Sequence, residues 1–447
     1  MSSTIDNFTG SRHPCSVLSL AALMVVSSLL LPAAGQSLDM PVPRTATNAA
    51  IHYQRAILFL SAVDPAKRET LLKPIWEIVT PTSTEADLAK VDELLIESRH
   101  AIRSALVGTN QTEANFGLDI RQYMIASYLP HIHPMTDLGR LLALHGLQRQ
   151  STGNWQAAAR IYLSVLRMGR QLNRQTTLAE ALAGVEILET GYFALGQWAT
   201  RCPDVTLVEE AFHIINAMSV DMVNPARTLR SEASISKMRL DAMQDAFPDG
   251  AWAEMVLESL GAKFPMADHE GMRKAAIEAA SKYGVPREAF GDKQSFGRYM
   301  RNLRSIYVEL SKESANCLTL SPPESIQQGK AVFAKYESKL LPTERASSLN
   351  PGKTAGYFAV HRAELDLLRL VLAISAARTS DGFPTDLSGI SGRFGGQLPR
   401  SPYDGSDYIY EVLEGGKGFS IKVSEGQISD SELPEIDFRY LSGEPFQ

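Results

Sequence analysis

Apolar residues return at three-and-four spacing from Ala49 to about Leu372, a period that fits an α-helical body and little else. The run IHYQRAILFLSAV opens the series. In LAKVDELLIESRHAIRSAL, residues Val91, Leu94, Leu95, Ile102 and Leu106 keep the period. Pro65, Pro74, Pro81, Pro130 and Pro134 fall where helices should start or stop. SANCLTLSPPESIQQGKAVFAKYESKL reads as a loop and then a helix opened by Ser-Pro-Pro-Glu, since proline in a first turn lacks only an N–H that had no partner. Between Arg227 and Ser311 the pattern is less regular, breaks at Pro248 and Pro265, and carries both charge signs, as a solvated helical layer does.

The clearest unit spans Met135 to Ala199. Thr136 is placed to cap a helix carrying Leu138, Leu141, Leu142 and Leu144. Gly153 and Asn154 interrupt it. Trp155 leads a second helix through Ala158, Ala159, Tyr162 and Leu166, with Gly169 and Asn173 expected to loosen its end. A third helix is predicted from Leu178 to Trp198. Trp155, Ala158, Ala159 and Tyr162 have the order and spacing of a tetratricopeptide first helix: small residues let a neighbour approach, and the aromatic rings fill the groove. The signature does not recur about 34 residues away, so a helical-hairpin array is expected rather than a named repeat. Trp155 and Tyr162 are the candidate protein-interaction residues.

The N-terminus reads as an address. After Arg12 and His13, the stretch Val17 to Leu31 is apolar and uncharged, Pro32 ends it, and Ala33-Ala34-Gly35 supplies small residues. This resembles a secretory signal peptide cleaved near Gly35 or Gln36. The alternative is an uncleaved anchor, because Cys15 to Gly35 just reaches the roughly 20 residues a span needs. No lipobox cysteine follows. The mature chain is expected to be periplasmic or extracellular, with no membrane span.

Hydrophobic residues make up 44 % of the 447-residue chain and charged residues 21 %, ordinary globular usage that argues against wholesale disorder. A net charge of -6 argues against nucleic acid as the main partner. Cys15, Cys202 and Cys317 show no metal-ligand or redox spacing; Cys202 and Cys317 are either one disulfide or two buried thiols.

His131 and His133 stand two apart between Pro130 and Pro134, with Asp137 close by. In an extended segment both rings would face one way and could ligate zinc, so His131, His133 and Asp137 are the candidate metal residues. No Glu-x-x-His or Cys cluster supplies the remaining ligands, and a proline-rich connector bearing surface histidines explains the same residues. His145, His213 and His361 are single. Glu180, Glu186 and Glu189 line one helix face, as paired carboxylates or as a solvated stripe. There is no Gly-x-Ser-x-Gly elbow, phosphate loop or His-Glu-x-x-His, so neither a catalytic residue nor a cofactor is assigned.

The tail changes period. A helix ends near Arg378, turns follow in DGFPTDL and LPRSPYDG, and DYIYEV and FSIKV read as two strands joined at GGKG, a hairpin turn. Gly382 to Leu387, Ser401 to Gly405, Tyr408 to Val412 and Gly418 to Ile421 together resemble the tail of type II secretion pseudopilins. In that family the helix is the N-terminal membrane helix and many members add a calcium loop. Here the helix lies at the other end, and Asp430, Glu432 and Glu435 lack the loop's regular pattern. The chain as a whole resembles a group of signal-peptide-bearing bacterial helical-hairpin proteins, through Asn48, Ala49, Ala50, Tyr53 and Ala56, the LGRLLALHGL…GNWQAAARIYLSVLRMGRQL hairpin and the tail. That resemblance carries no activity and no catalytic residues.

The expected fold is mainly α: a multi-helix, tetratricopeptide-like hairpin array closed by a long helix and a small antiparallel β-sheet. The expected division is a signal peptide over 1–35, a linker over 36–48, a helical domain over 49–339, and the helix with its pseudopilin-like sheet over 340–447. The leading expectation is an exported, non-enzymatic scaffold with protein partners at the cell envelope. The alternatives are an exported metal-dependent hydrolase using His131 and His133, and a component of secretion or pilus machinery.

Overall fold

The computed structural model describes residues 48–73, 85–117, 129–175, 177–219, 225–246, 274, 278, 281, 287–290, 293–339, 350–380, 382–413, 418–423 and 437–441. The signal segment, its cleavage position, Pro74, Pro81, Pro248, Pro265, the turn at 414–417, and Asp430, Glu432 and Glu435 lie outside the described residues.

Helices dominate: α1 (Ala49–Ser61), α2 (Pro65–Arg68), α3 (Glu85–Glu97), α4 (Arg99–Thr109), α5 (Ile132–Ser151), α6 (Trp155–Asn173), α7 (Leu178–Arg201), α8 (Val205–Ser219), α9 (Pro225–Ala246), α10 (Lys293–Cys317), α11 (Pro322–Glu337) and α12 (Pro351–Ala376). The strands are β1 (Ile409–Val412), β2 (Gly418–Lys422) and β3 (Asp437–Leu441). The mainly α class with a small C-terminal antiparallel sheet is therefore as expected.

Local chemistry starts the helices. Asn48, Asp64, Asn154 and Asn350 each accept an amide hydrogen bond two or three residues on, and Thr177 and Glu180 form a reciprocal capping box. Pro322 and Pro351 occupy first turns, where their missing N–H is harmless. Thr136 does not cap α5. The helix begins four residues earlier, at Ile132, and the Thr136 hydroxyl donates to the His133 carbonyl at 2.9 Å. Pro134 permits this early start because it sits in the first turn.

Helices α5, α6 and α7 pack on one another, and α12 lies against α7, α8 and α11. Gly169 does not loosen α6, which continues to Asn173. A Cβ at Gly169 would sit 2.9 Å from the Gly184 carbonyl oxygen, and one at Gly184 would sit 2.7 Å from the Asn173 Cα. These glycines let the backbones of α6 and α7 meet. Gly329 and Gly352 do the same for α11 and α12, where an added Cβ on Gly329 would lie 2.8 Å from the Gly352 Cα.

β1, β2 and β3 form one antiparallel sheet in chain order, with Tyr410 opposite Ile421 and Phe419 opposite Tyr440. β3 adds a strand to the two expected. β2 packs on α12, and Phe383 meets Phe419 edge-on at 4.9 Å. Phe383, Ile390, Tyr408, Phe419 and Ile421 join the same apolar core as α5, α6, α7 and most of α12. The tail described by the division at 339/340 thus shares its core with the helical body, because α12 is buried along almost its whole length. Cys202 and Cys317 are separate buried thiols, which settles the alternative left open by the sequence.

Candidate functional site

His131, His133 and Asp137 point in different directions. A shared ligand face required an extended segment, but residues 131–137 belong to the start of α5, where positions two apart lie on opposite sides of the helix. His131 turns into the core: its Nε2 lies 3.0 Å from Glu180 Oε1, and its ring stacks on Phe116 with centroids 4.1 Å apart. The other carboxylate oxygen of Glu180 accepts from the Thr177 amide and hydroxyl. His133 is exposed. Asp137 is 3.8 Å from Arg140, which also bonds Glu186, and burial raises the Asp137 carboxyl pKa against the pull of that guanidinium. Among the described residues, no group of three or more His, Cys, Asp or Glu side chains is placed to hold a metal ion.

Glu180 is thus neither a solvated-stripe residue nor half of a carboxylate pair; it belongs to the buried link between α5 and α7. Glu186 is bound to Arg140 and His213 to Glu209, both at the surface.

Tyr162 is 1 % exposed and cannot serve as a surface contact. Its hydroxyl donates to Gln150 Oε1 at 3.0 Å, and burial holds the phenol well above its ordinary pKa. Trp155 is half-buried, and its carbonyl accepts from Trp198 Nε1 at 3.0 Å. The Tyr162 hydroxyl and the Trp155 carbonyl thus tie α6 to α5 and α7.

A different surface of this region is open. Helices α3, α4 and α5 enclose a cleft of about 450 Å³, within the range of about 300–1,000 Å³ usual for ligand sites. Leu95 and Ile102 form its buried floor, and Leu106 is half-buried beside them. Ile96 and Val107 stand in its rim at 63 % and 40 % exposure. Arg99 and Arg103 on α4 and Arg149 on α5 line the same rim, exposed.

No described carboxylate pairs with these arginines; among the described residues, Arg99 bonds the neighbouring His100, at 3.4 Å. Three acids of α3 have described partners, Asp92 through Gln148 at the cleft itself. Glu93 and Glu97 hold Lys67, and Asp92 accepts from Gln148 at 2.8 Å. Burial, then the Arg149 charge, lowers the His145 pKa, so at pH 7 the imidazole is neutral and the positive charge is that of the arginines. The arginine spacing is legible within SRHAIRSAL, but Arg149 reaches the cleft from a distant helix, and no local pattern announces that meeting.

A second polar cluster joins the tail to the body. His361 on α12 is buried and stacks on Tyr192 of α7 at 5.5 Å. Burial, then the charge of Arg362, holds its pKa down at about 4. Asp366 is buried between Arg362 and Arg369, at 3.0 Å and 2.8 Å, and Arg369 also donates to Asn216 Oδ1 at 2.6 Å. Tyr408 buries its ring nearby, and burial raises its phenol pKa. Tyr410 donates to the Pro384 carbonyl at 2.6 Å, with burial pushing its pKa up to about 12. A neutral imidazole and protonated phenols thus lie where α12 and the tail pack on the body.

Comparison with family profiles, with curated proteins and with solved structures finds no match.

Proposed function

We propose that the chain is an exported, non-enzymatic helical scaffold that binds protein partners at the bacterial envelope through the cleft between α3, α4 and α5. The observation that supports this reading most is the cleft's composition: an apolar floor, Ile96 and Val107 left in solvent, and arginines without carboxylate partners among the described residues. Exposed apolar side chains rimmed by charge are characteristic of association surfaces. Export is supported by the uncharged run from Val17 to Leu31 followed by Pro32 and Ala33-Ala34-Gly35. No described helix is long and apolar enough to cross a membrane.

A photo-crosslinking amino acid at Ile96 or Val107, in cells producing the full chain, tests this reading. The expected result is a discrete envelope-protein adduct at both positions and none at the exposed Val308 of α10. Absence of adducts at both cleft positions from a correctly exported chain would overturn it. Mass spectrometry of the exported protein should find the new N-terminus near Gln36; an intact Met1 refutes cleavage.

A further inference from the structure

We infer that the occupant of the α3–α4–α5 cleft is an acidic amphipathic helix of the partner protein. This rests on the proposed binding role and specifies what is bound. The described walls of the cleft are helical apart from the α4 C-cap Asn110, so the cleft offers side-chain donors and no strand edge. A segment entering it must satisfy its own backbone hydrogen bonds, and a helix does so. The dimensions agree: α4 has 11 residues, a wall of about 16 Å, which three turns of a partner helix would cover.

Charge sets the chemistry of the partner's polar face. Arg99 and Arg103 are one turn apart on α4, and Arg149 faces them from α5. Guanidinium groups bind carboxylates with paired N–H donors, so Glu or Asp along one edge of the incoming helix complements this rim. Its opposite edge would set Leu- or Ile-like side chains on Leu95, Ile102 and Leu106. Nucleic acid fits less well. Among the described lining residues the one aromatic ring is the half-buried His145, and the full chain carries a net charge of -6.

The test uses the purified full chain and fluorescent peptides of about 18 residues, five helical turns. One carries Leu on one face and Glu on the other; a second replaces Glu by Lys; a third scrambles the first. Anisotropy is expected to show binding of the acidic helix alone, weakening between about 50 mM and about 300 mM salt as surface charges are screened. Arg99→Glu with Arg103→Glu should weaken it at least about ten-fold, and Ile96→Asp should also weaken it. All three sites are exposed, and circular dichroism is expected to show that the variants keep their helices.

Equal binding of the Lys or scrambled peptide, unchanged affinity in the arginine variant, or tighter binding of an oligonucleotide or of anionic phospholipid vesicles would each overturn the inference. Crosslinks at Ile96 and Val107 without acidic-peptide binding would defeat this inference while leaving the scaffold reading intact.

Discussion

His361 makes the stability of this protein depend on pH in a stated window. The imidazole is 4 % exposed in the middle of α12, against Tyr192. Burial and the Arg362 charge hold its folded-state pKa at about 4, whereas an unfolded chain titrates histidine near 6.5. Because the folded value is the lower one, the unfolded chain takes up the proton first as the pH falls. The contribution of neutral His361 is complete above about pH 6.5 and is lost progressively toward pH 4. Linkage between these two pKa values gives a loss of about 2 kcal/mol on going from about pH 7.5 to about pH 5.

The perturbation is His361→Phe, which keeps a ring against Tyr192 and removes the titration. Its ring also dispenses with Nδ1, which has no hydrogen-bond partner among the described residues. Urea unfolding of both chains at the two pH values isolates the residue, since the other titrating groups are common to both. The wild-type chain should lose about 2 kcal/mol more than the variant between those pH values. Equal losses would show that His361 is hydrated or partnered in solution and would refute the reasoning.

Other perturbations follow from the packing. Gly184→Ala should cost about 1–3 kcal/mol by calorimetry, because the new Cβ would overlap the backbone at Asn173, while Gly389→Ala, in open space, should change stability by less than about 0.5 kcal/mol. Tyr162→Phe should cost about 1–3 kcal/mol by leaving buried Gln150 without its donor, and Tyr162→Ala about 3–5 kcal/mol by opening a cavity between α5 and α6. Both Tyr162 variants should retain any crosslinks at Ile96 in chains that fold. Glu180→Ala removes both the His131 partner and the α7 capping box; denaturant midpoints should fall by the equivalent of about 3–5 kcal/mol. Zinc bound stoichiometrically and lost on His131→Ala would instead favour the hydrolase reading.

Much of the fold was readable because it is set locally. Asn154 caps α6, Thr177 and Glu180 cap α7, and the prolines opening α11 and α12 act within a few residues of their own positions. The alternation in DYIYEV and FSIKV predicts β1 and β2 for the same reason. The candidate site was much less readable. The spacing singles out Tyr162, but spacing cannot distinguish a ring that fills a groove between this chain's helices from one offered to a partner. His131 and His133 resemble a ligand pair only if extended, and the early start of α5 turns one toward Glu180 and the other into solvent.

The helical body, the caps and breaks that divide it, and the change to strands at the tail all follow from backbone chemistry acting over one or two turns, and so are legible in the order of residues. Long-range packing makes Gly169 and Gly184 meet, buries Glu180 beneath His131, and joins the tail to the core through α12. It also brings Arg149 beside Arg99 and Arg103. Each of these depends on which distant surface excludes water from which side chain, and that is settled by packing between helices rather than by the order of residues within one.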